Sequence, residues 1–269
     1  MTVQEMHYEL KLKLNKIDTQ DYSNLLVPEI DWYLNESQTV FIKQRYGTTN
    51  IKRQGFEESQ KRIDDLKTLV VKEDPLIPTA TTMTASTIST TSDVGTYKAD
   101  LSALAYDYMF LLRITCQGTK TSCQSGTKRL WGIQVQHDDL DTVLYDPFYK
   151  PSFEWEEVPM VFGQNPNDPP SDRKGSIYLY SDGTFSIDNV FVEYLRHPLR
   201  ISYANGVVNS AGAIIGYNYA DGTAAAGSQN CELPEHTHKE VVDLAVAIVS
   251  GDIDHPMYKL KAIKTTINE

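Results

Sequence analysis

The stretch Ile177-Tyr-Leu-Tyr-Ser-Asp-Gly-Thr-Phe-Ser-Ile187 carries the clearest local signal in the chain. Asp182-Gly183 fits a two-residue hairpin turn, because these two residue types tolerate the left-handed backbone such turns need. The turn would pair Tyr180 with Phe185 and Tyr178 with Ile187 on one face. Outward from it, Val190-Phe-Val-Glu-Tyr-Leu195 reads as a further strand closed by His197-Pro198. Upstream, Tyr108-Met-Phe-Leu-Leu-Arg-Ile-Thr-Cys116 and Leu130-Trp-Gly-Ile-Gln-Val-Gln136 read as strands too. Between them and the hairpin, Asp138 to Leu144 suits one or two helical turns before Asp146-Pro147-Phe148. The Gly/Ala-rich run from Gly206 to Gly227 reads as loop. Residues 97–231 are therefore expected to form a β-rich, sandwich-like domain.

Helical spacing replaces strand spacing on both sides. Thr2 with Glu5 makes a capping box, and Val3, Met6, Leu10, Leu14 and Ile17 recur at three- and four-residue intervals. A second helix is predicted from about Ser23 to Gly47, with Pro28 in its first turns and Leu26, Ile30, Tyr33, Leu34 and Phe41 on one side. A third is predicted from Phe56 to Val70, with Phe56, Ile63, Leu66 and Val70 inward. Its outer face would hold Glu57, Glu58, Lys61, Arg62, Asp64, Asp65 and Lys67, including the i,i+4 pairs Glu57–Lys61 and Glu58–Arg62. Asp74-Pro75 and Ile77-Pro78 end the pattern. The Thr/Ser-rich run 79–92 reads as an extended linker or an edge strand. Near the other end, Leu233-Pro234-Glu235 enters a helix that buries Val241, Leu244, Ala245 and Ile248 and stops at Gly251.

The expected architecture is α+β. Residues 1–75 form the N-terminal part of a helical bundle, 76–96 a linker, and 97–231 an inserted β domain. Residues 232–269, a helix and tail, complete the bundle.

The 269 residues are 41% hydrophobic and carry a net charge of −11. This excludes a disordered chain and argues against broad phosphate gripping, which normally needs the opposite sign. Residues 1–75 hold eleven basic and thirteen acidic side chains, so the acid excess lies mainly beyond them. Cys116, Cys123 and Cys231 form no CxxC pair, and their odd number argues against a disulfide framework. No apolar leader or membrane span is evident, so a protein made in a reducing cytoplasm, without membrane contact, is expected.

Catalytic signatures are missing: there is no GxSxG elbow, Walker loop, GxGxxG or HExxH. Gly118-Thr-Lys-Thr lacks the rest of a phosphate loop and reads as a turn between strands. His236 and His238 flank Thr237 beside Glu235 and Glu240. Two residues apart on a helix they point in different directions, so solvated or interface histidines are expected rather than a metal pair. His137-Asp138-Asp139 reads as a turn leaving a strand. Asp138, Asp139, Asp141 and Asp146 match no EF-hand spacing. No metal, cofactor or catalytic residue is expected.

Sixteen tyrosines against eight phenylalanines give many rings a polar tip, suited to surfaces buried in one state and wet in another. Trp32 and Tyr33 are adjacent on a helix and cannot both face one core, so one of them should meet another element or subunit. In the tail 252–269, Met257, Tyr258, Leu260 and Ile263 have too little chain around them to bury one another. They are expected to reach a neighbouring subunit or ring.

Longer stretches resemble a known family. Tyr22-Ser-Asn-Leu-Leu-Val-Pro-Glu-Ile-Asp-Trp-Tyr-Leu-Asn-Glu-Ser-Gln-Thr-Val-Phe-Ile-Lys-Gln-Arg-Tyr-Gly47 and Phe56-Glu-Glu-Ser-Gln-Lys-Arg-Ile-Asp-Asp-Leu-Lys-Thr-Leu-Val70 resemble the N-terminal helices of head-to-tail connector proteins of crAss-like tailed bacteriophages. Asp138–Pro151, Tyr194–Ile201 and Cys231–Val246 are similar to the same family, in the family's order. The resemblance implies a ring-forming adaptor, a dodecamer stacked under the portal of the virion and assembled in the bacterial host. Its partners would be copies of itself, the portal and neighbouring tail or ring proteins. Packaged double-stranded DNA would pass without tight binding, as an acidic lining repels phosphates. Trp32, Tyr33, His236, His238, Met257, Tyr258, Leu260 and Ile263 are the candidate subunit or portal contacts. A second class of function is a β-domain module binding a glycan or a tail protein, for which Trp131, Trp155 and Tyr149 would suit stacking. A hydrolase using Asp138–Asp146 lacks nucleophile, base and metal set.

Overall fold

A computed structural model describes residues 1–15, 25–47, 55–81, 95–121, 125–164, 174–204, 207, 216–218, 224 and 227–252. The chain is mixed α+β and divides into two units. One comprises the described residues of Met1–Leu69 and Pro198–Glu269, the other Val70–His197.

The first unit holds α1 (Val3–Asn15), α2 (Val27–Tyr46), α3 (Gln60–Leu66) and α5 (His238–Asp252). The capping box at Thr2 forms as expected: Thr2 N donates to Glu5 Oε2 at 2.8 Å and Glu5 N to Thr2 Oγ1 at 3.3 Å. Val3, Met6, Leu10 and Leu14 are buried, while Ile17 lies outside the described residues. α5 packs against both α1 and α2. It is buried on more than a single stripe, at Val241, Val242, Leu244, Ala245, Val246, Ala247 and Val249; Ile248 is only half-buried. A helix apolar nearly all round belongs in the middle of its neighbours. Two short strands, β9 (Ser202–Tyr203) and β10 (Ser228–Gln229), pair beside α1 and α2.

The third predicted helix is shorter than its periodicity suggests. A 3₁₀ turn (Phe56–Glu58) precedes α3, another (Lys67–Leu69) follows it, and the chain is a strand from Val70. Arg62 and Asp65, expected on its solvent face, are fully buried. Each lies three or four residues from Leu66 or Leu69 and shares their inward side.

The second unit is one curled sheet in the order β1-β8-β4-β5-β6-β7-β3-β2. Its strands are β1 (Val70–Leu76), β2 (Thr79–Thr81), β3 (Gly95–Asp100), β4 (Tyr108–Lys120), β5 (Gly126–Gln134), β6 (Glu157–Gly163), β7 (Ser176–Ser181) and β8 (Ser186–Arg196). The single six-residue helix of this unit, α4 (Leu140–Tyr145), lies between β5 and β6. Every pairing is antiparallel except β5 with β6. Leu76 of β1, Ala99 of β3, Leu130 of β5, Leu179 of β7 and Val192 of β8 share one core. Strands near opposite ends of the order thus meet around the same interior, so a single curled sheet replaces the expected sandwich.

Two boundaries move. The sheet begins at Val70 and ends at Arg196, not at 97 and 231, so the described residues of 198–231 join the helical unit. Of the run 79–92, read as linker or edge strand, Thr79–Thr81 forms an edge strand on β3, and 82–92 lie outside the described residues. The predicted hairpin does not pair at all. β7 lies between β6 and β3, and β8 between β1 and β4. The turn itself is real: Gly183 has φ +78 and Asp182 Oδ1 accepts from Thr184 N at 2.9 Å. It arches the chain from one part of the sheet to another, with Tyr180, Phe185 and Ile187 all buried. Turn chemistry decides that the chain reverses, not which strand it meets. Likewise Gly118, read as a turn, sits inside β4 opposite Lys128, where a Cβ would lie 2.4 Å from Leu130 Cδ1.

Candidate functional site

Among the described residues, no group of three or more His, Cys, Asp or Glu side chains is placed to hold a metal ion. Two polar clusters of the helical unit are buried instead. His7 Nε2 donates to Asp31 Oδ1 at 2.6 Å, Tyr203 N donates to Asp31 Oδ2 at 2.8 Å, and the Tyr217 hydroxyl also donates to Oδ2. Asn35 Nδ2 donates to Ile201 O and Ile201 N to Asn35 Oδ1, each at 2.8 Å. These bonds tie α1 and α2 to the chain around β9. The Asp31 carboxylate is committed to three donors and faces no nucleophile, so the cluster is a tether. Neither His7 nor Asp31 stood out in the sequence, yet each sits on an apolar helical stripe, beside Met6 and Ile30. That placement was the available signal.

The second cluster centres on Arg45 and Asp65, both fully buried. Arg45 Nε meets Asp65 Oδ2 at 2.8 Å, Arg45 also pairs with Glu240, and Lys61 Nζ lies 3.5 Å from Glu240 Oε1. Arg62 donates to the carbonyl of Arg45 at 3.1 Å. His236 Nε2 donates to Asp65 Oδ1 at 2.8 Å, with its ring half-exposed. His238 departs from expectation. It is 5% exposed and gives its Nε2 proton to Leu233 O at 2.8 Å, so it offers no surface to a partner. Burial holds its pKa below the usual imidazole value, against the upward pull of that hydrogen bond.

Trp32 and Tyr33 divide as the helix geometry requires. Trp32 is 56% exposed, and its ring meets that of Tyr33 edge-on at 4.9 Å. Tyr33 is half-buried and its hydroxyl bonds Asp252 at the end of α5; burial first, then this carboxylate, raise its pKa. Met257, Tyr258, Leu260 and Ile263 lie outside the described residues.

Among the described residues, most of the exposed large apolar side chains belong to the second unit. β5 and β6 run parallel, so the chain must return the length of a strand between them, normally through a helix packed on the sheet. Here α4 has no buried residue. Yet the crossover is pinned. Val135 N donates to Met160 O at 2.9 Å, and His137 Nε2 to Phe162 O at 2.8 Å. Beyond α4, Phe148 N donates to Asp146 Oδ1 at 2.8 Å and Lys150 N to Asp146 O at 2.9 Å, fixing the Asp146-Pro147 turn. The return is anchored by buried Phe153, over whose ring Lys120 and Lys128 place their ammonium groups at 5.7 and 5.2 Å. Glu156, at φ +62, accepts from Trp131 N at 2.7 Å.

Between these anchors the rings point outward: Phe148 is 89% exposed and Trp155 79%, with Tyr145 and Tyr149 also exposed. Trp131 is half-exposed, with the Arg113 guanidinium 5.7 Å from its ring centre.

The chain matches no known protein-family model and no curated protein sequence. Its chemistry must be argued from this surface. Aromatic side chains held in place by their own backbone hydrogen bonds, but left uncovered, are suited to being covered by something else. Asp138, Asp139 and Asp141 of the same crossover are exposed as well. No described helix is long and apolar enough to cross a membrane.

Proposed function

We propose that the chain is a structural virion protein, a ring-forming subunit of the head-to-tail connector of a crAss-like tailed bacteriophage. It joins the portal to the tail around the DNA passage and carries no catalytic activity. In this reading α1, α2, α3 and α5 act as one helical bundle, the curled sheet is the module it presents, and the ring assembles in the host cytoplasm. The observation that carries it is the crossover between β5 and β6, ordered by hydrogen bonds at both ends yet with Phe148 and Trp155 almost fully exposed. Rigid aromatic anchors of this kind dominate subunit contacts. The resemblance of residues 22–47, 56–70, 138–151, 194–201 and 231–246 to connector proteins supplies the setting. The net charge of −11 is compatible with a lining along which a duplex slides without binding.

Native mass spectrometry and negative-stain imaging of the purified chain, alone and with its portal, test the proposal. Closed rings are the expected result; a monomer that neither self-associates nor docks on a portal overturns it. A second reading has one observation in its favour: Trp131, Trp155 and Tyr149 are all exposed, as stacking on a sugar requires. Specific glycan binding by a chain that stays monomeric would favour that module.

A further inference from the structure

We propose that the face of the curled sheet around β8, β4 and β5 carries a saccharide-binding site, a groove that takes one neutral pyranose unit. The site needs no ring, so it stands or falls separately from the connector reading. Strand register lays its floor. Phe191 of β8 and Trp131 of β5 both lie opposite Thr115 of β4, and Asn189 and Arg129 both lie opposite Gln117. Residues directly opposite one another share a face, so these two rows run side by side on one surface. The groove, a cavity of about 280 Å³, is lined by Glu73, Gln117, Thr127, Lys128, Arg129 and Phe191.

One wall depends on an irregularity in β1, whose register on β8 shifts between Val71 and Asp74. There Glu73 adopts φ +52, a backbone conformation rare for a residue with a side chain. Bulges re-aim side chains, and strain of this kind gathers where ligands are held. Asp74 accepts from Tyr194 OH at 2.8 Å and Ala105 N at 3.0 Å, which fixes the bulge. Glu73 thereby reaches over β8 and β4 to Arg129 on β5, at 2.9 Å.

Pairing decides the charge of the ligand. Arg129 is matched by Glu73, and the Lys128 ammonium lies 3.5 Å from Glu156 and over the Phe153 ring. No unmatched charge is left to select an anion or a cation. Hydrogen-bonding capacity is left instead. Arg129 directs Nη2 to both Glu73 and Thr115, at 2.9 and 3.1 Å, and its other N–H groups make no bond among the described residues. Gln117 Oε1 accepts from Asn189 Nδ2 at 3.0 Å, which leaves the Gln117 amide protons unused. Thr119 gives its one hydroxyl proton to Asp188, so Thr127 donates to Thr119 at 3.1 Å and keeps its own lone pairs.

Donors on Gln117 and Arg129 and acceptors on Glu73 and Thr127 thus line one groove with the Phe191 ring. A sugar hydroxyl both donates and accepts, and two neighbouring hydroxyls can bridge a carboxylate and a guanidinium without separating them. The C–H face of a pyranose covers an aromatic ring. An apolar ligand would strip water from these groups and return nothing, which lowers affinity. The volume lies just below the usual small-ligand range of about 300–1,000 Å³, in keeping with a single sugar ring. Trp131, half-exposed and about 10 Å from Phe191 by the spacing of neighbouring strands, offers a platform for the next unit of a chain.

The full-length chain is screened on an array of neutral and acidic glycans, and each hit is titrated as the free saccharide by calorimetry. The expected ligand is neutral, with an affinity unchanged between about 0.1 and 0.5 M NaCl. Glu73→Gly removes the carboxylate, suits the left-handed backbone, and breaks only a solvent-exposed ion pair. Its thermal midpoint should not fall, yet binding should weaken about tenfold or more. Thr127→Trp, at an exposed position, should fill the groove and abolish binding. Trp131→Ala should leave the binding of a monosaccharide intact. If Trp131→Ala abolishes binding while Glu73→Gly and Thr127→Trp retain it, the exposed rings are the sugar site and the inference is wrong. Binding confined to acidic glycans, or no neutral glycan bound at all, overturns it too. Ring assembly of the parent, read separately by native mass spectrometry, is untouched by any of these results.

Discussion

The two units use the same residue types in opposite places. The helical unit buries charge: Arg45, Asp65 and Arg62 lie in its interior, and His7 with Asp31 joins α1 to α2. The sheet unit buries an uncharged core, the rings of Phe153, Phe185 and Tyr194 included, and leaves four other rings outside, at Trp131, Phe148, Tyr149 and Trp155. The difference follows from how each is stitched. A sheet closes by backbone pairing, which fixes register through alternating inward residues and needs no buried charge. Short helices from distant parts of the chain have no such ladder. Asp65 and His236, 171 residues apart, are located by specific polar contacts. The units should therefore fail by different routes.

The largest effect should come from unpairing the helical unit's buried ions. Asp65→Leu deprives the Arg45 guanidinium of its fully buried carboxylate partner, leaving it Glu240, and removes the partner of His236. Loss of about 3–5 kcal/mol is expected in urea unfolding, the range for breaking one side of a buried pair. Replacing both members, Arg45→Met with Asp65→Leu, should recover part of that loss. A cost under about 1 kcal/mol for the single change would mean that this unit does not depend on its charges.

Next in size is a pair of neighbours on opposite faces of β5. Leu130 is fully buried and Trp131 half-exposed. Leu130→Ala should cost about 2–5 kcal/mol, from lost transfer energy and the cavity left behind. Trp131→Ala, though it deletes a larger side chain, should cost less than about 1 kcal/mol. Equal costs would show that the outer rings are part of the sheet's own stability and not kept for a partner.

This division was only half legible beforehand. Periodicity located α1, α2, α5 and the strands around Tyr108–Cys116, Leu130–Gln136 and Val190–Leu195, because burial of one face repeats at 3.6 or 2 residues. The same rule sends every polar residue to solvent, so Arg62 and Asp65 were misplaced. Their partners at Arg45 and His236 are too far along the chain for any window to connect. The Asp182-Gly183 turn was legible as a turn and misread as a hairpin, since strand choice depends on β1, β3, β4 and β6 together. Of the candidate surface, Trp32, Trp131, Trp155 and Tyr149 stood out as amphipathic rings. The left-handed backbone at Glu73, φ +52, did not, because it has no sequence signature.

A smaller, pH-dependent effect separates the units next. His238 is buried neutral, with its pKa depressed mainly by burial. The unfolded chain titrates near the ordinary value of about 6.5. Below that pH the unfolded state takes a proton that the folded state refuses, so His238's contribution is intact above about 6.5 and shrinks as pH falls. His238→Gln can still donate to Leu233 O and should flatten the stability profile of the helical unit between about pH 5 and 7. An unchanged slope would place the titration elsewhere.

The smallest perturbation uses the thiols: among the described residues, each unit contains one buried cysteine. Cys116 lies in β4 within the sheet's interior, and burial pushes its pKa up to about 12. Cys231 precedes α5 in the helical unit and is pushed up to about 11, again chiefly by burial. At pH 8 both are protonated and covered, so a disulfide reagent reaches either only when its surroundings open. Reaction rate then reads the opening free energy of each unit separately. Cys116 is enclosed by paired strands on both sides and should exchange only on unfolding of the sheet. Cys231 sits in irregular chain before Leu233, where a local opening suffices, and should react faster. Cys123 lies outside the described residues, so the measurement uses a Cys123→Ser chain. Adding Asp65→Leu should accelerate Cys231 and leave Cys116 unchanged if the two units open independently. Parallel acceleration of both thiols would mean that they unfold as one.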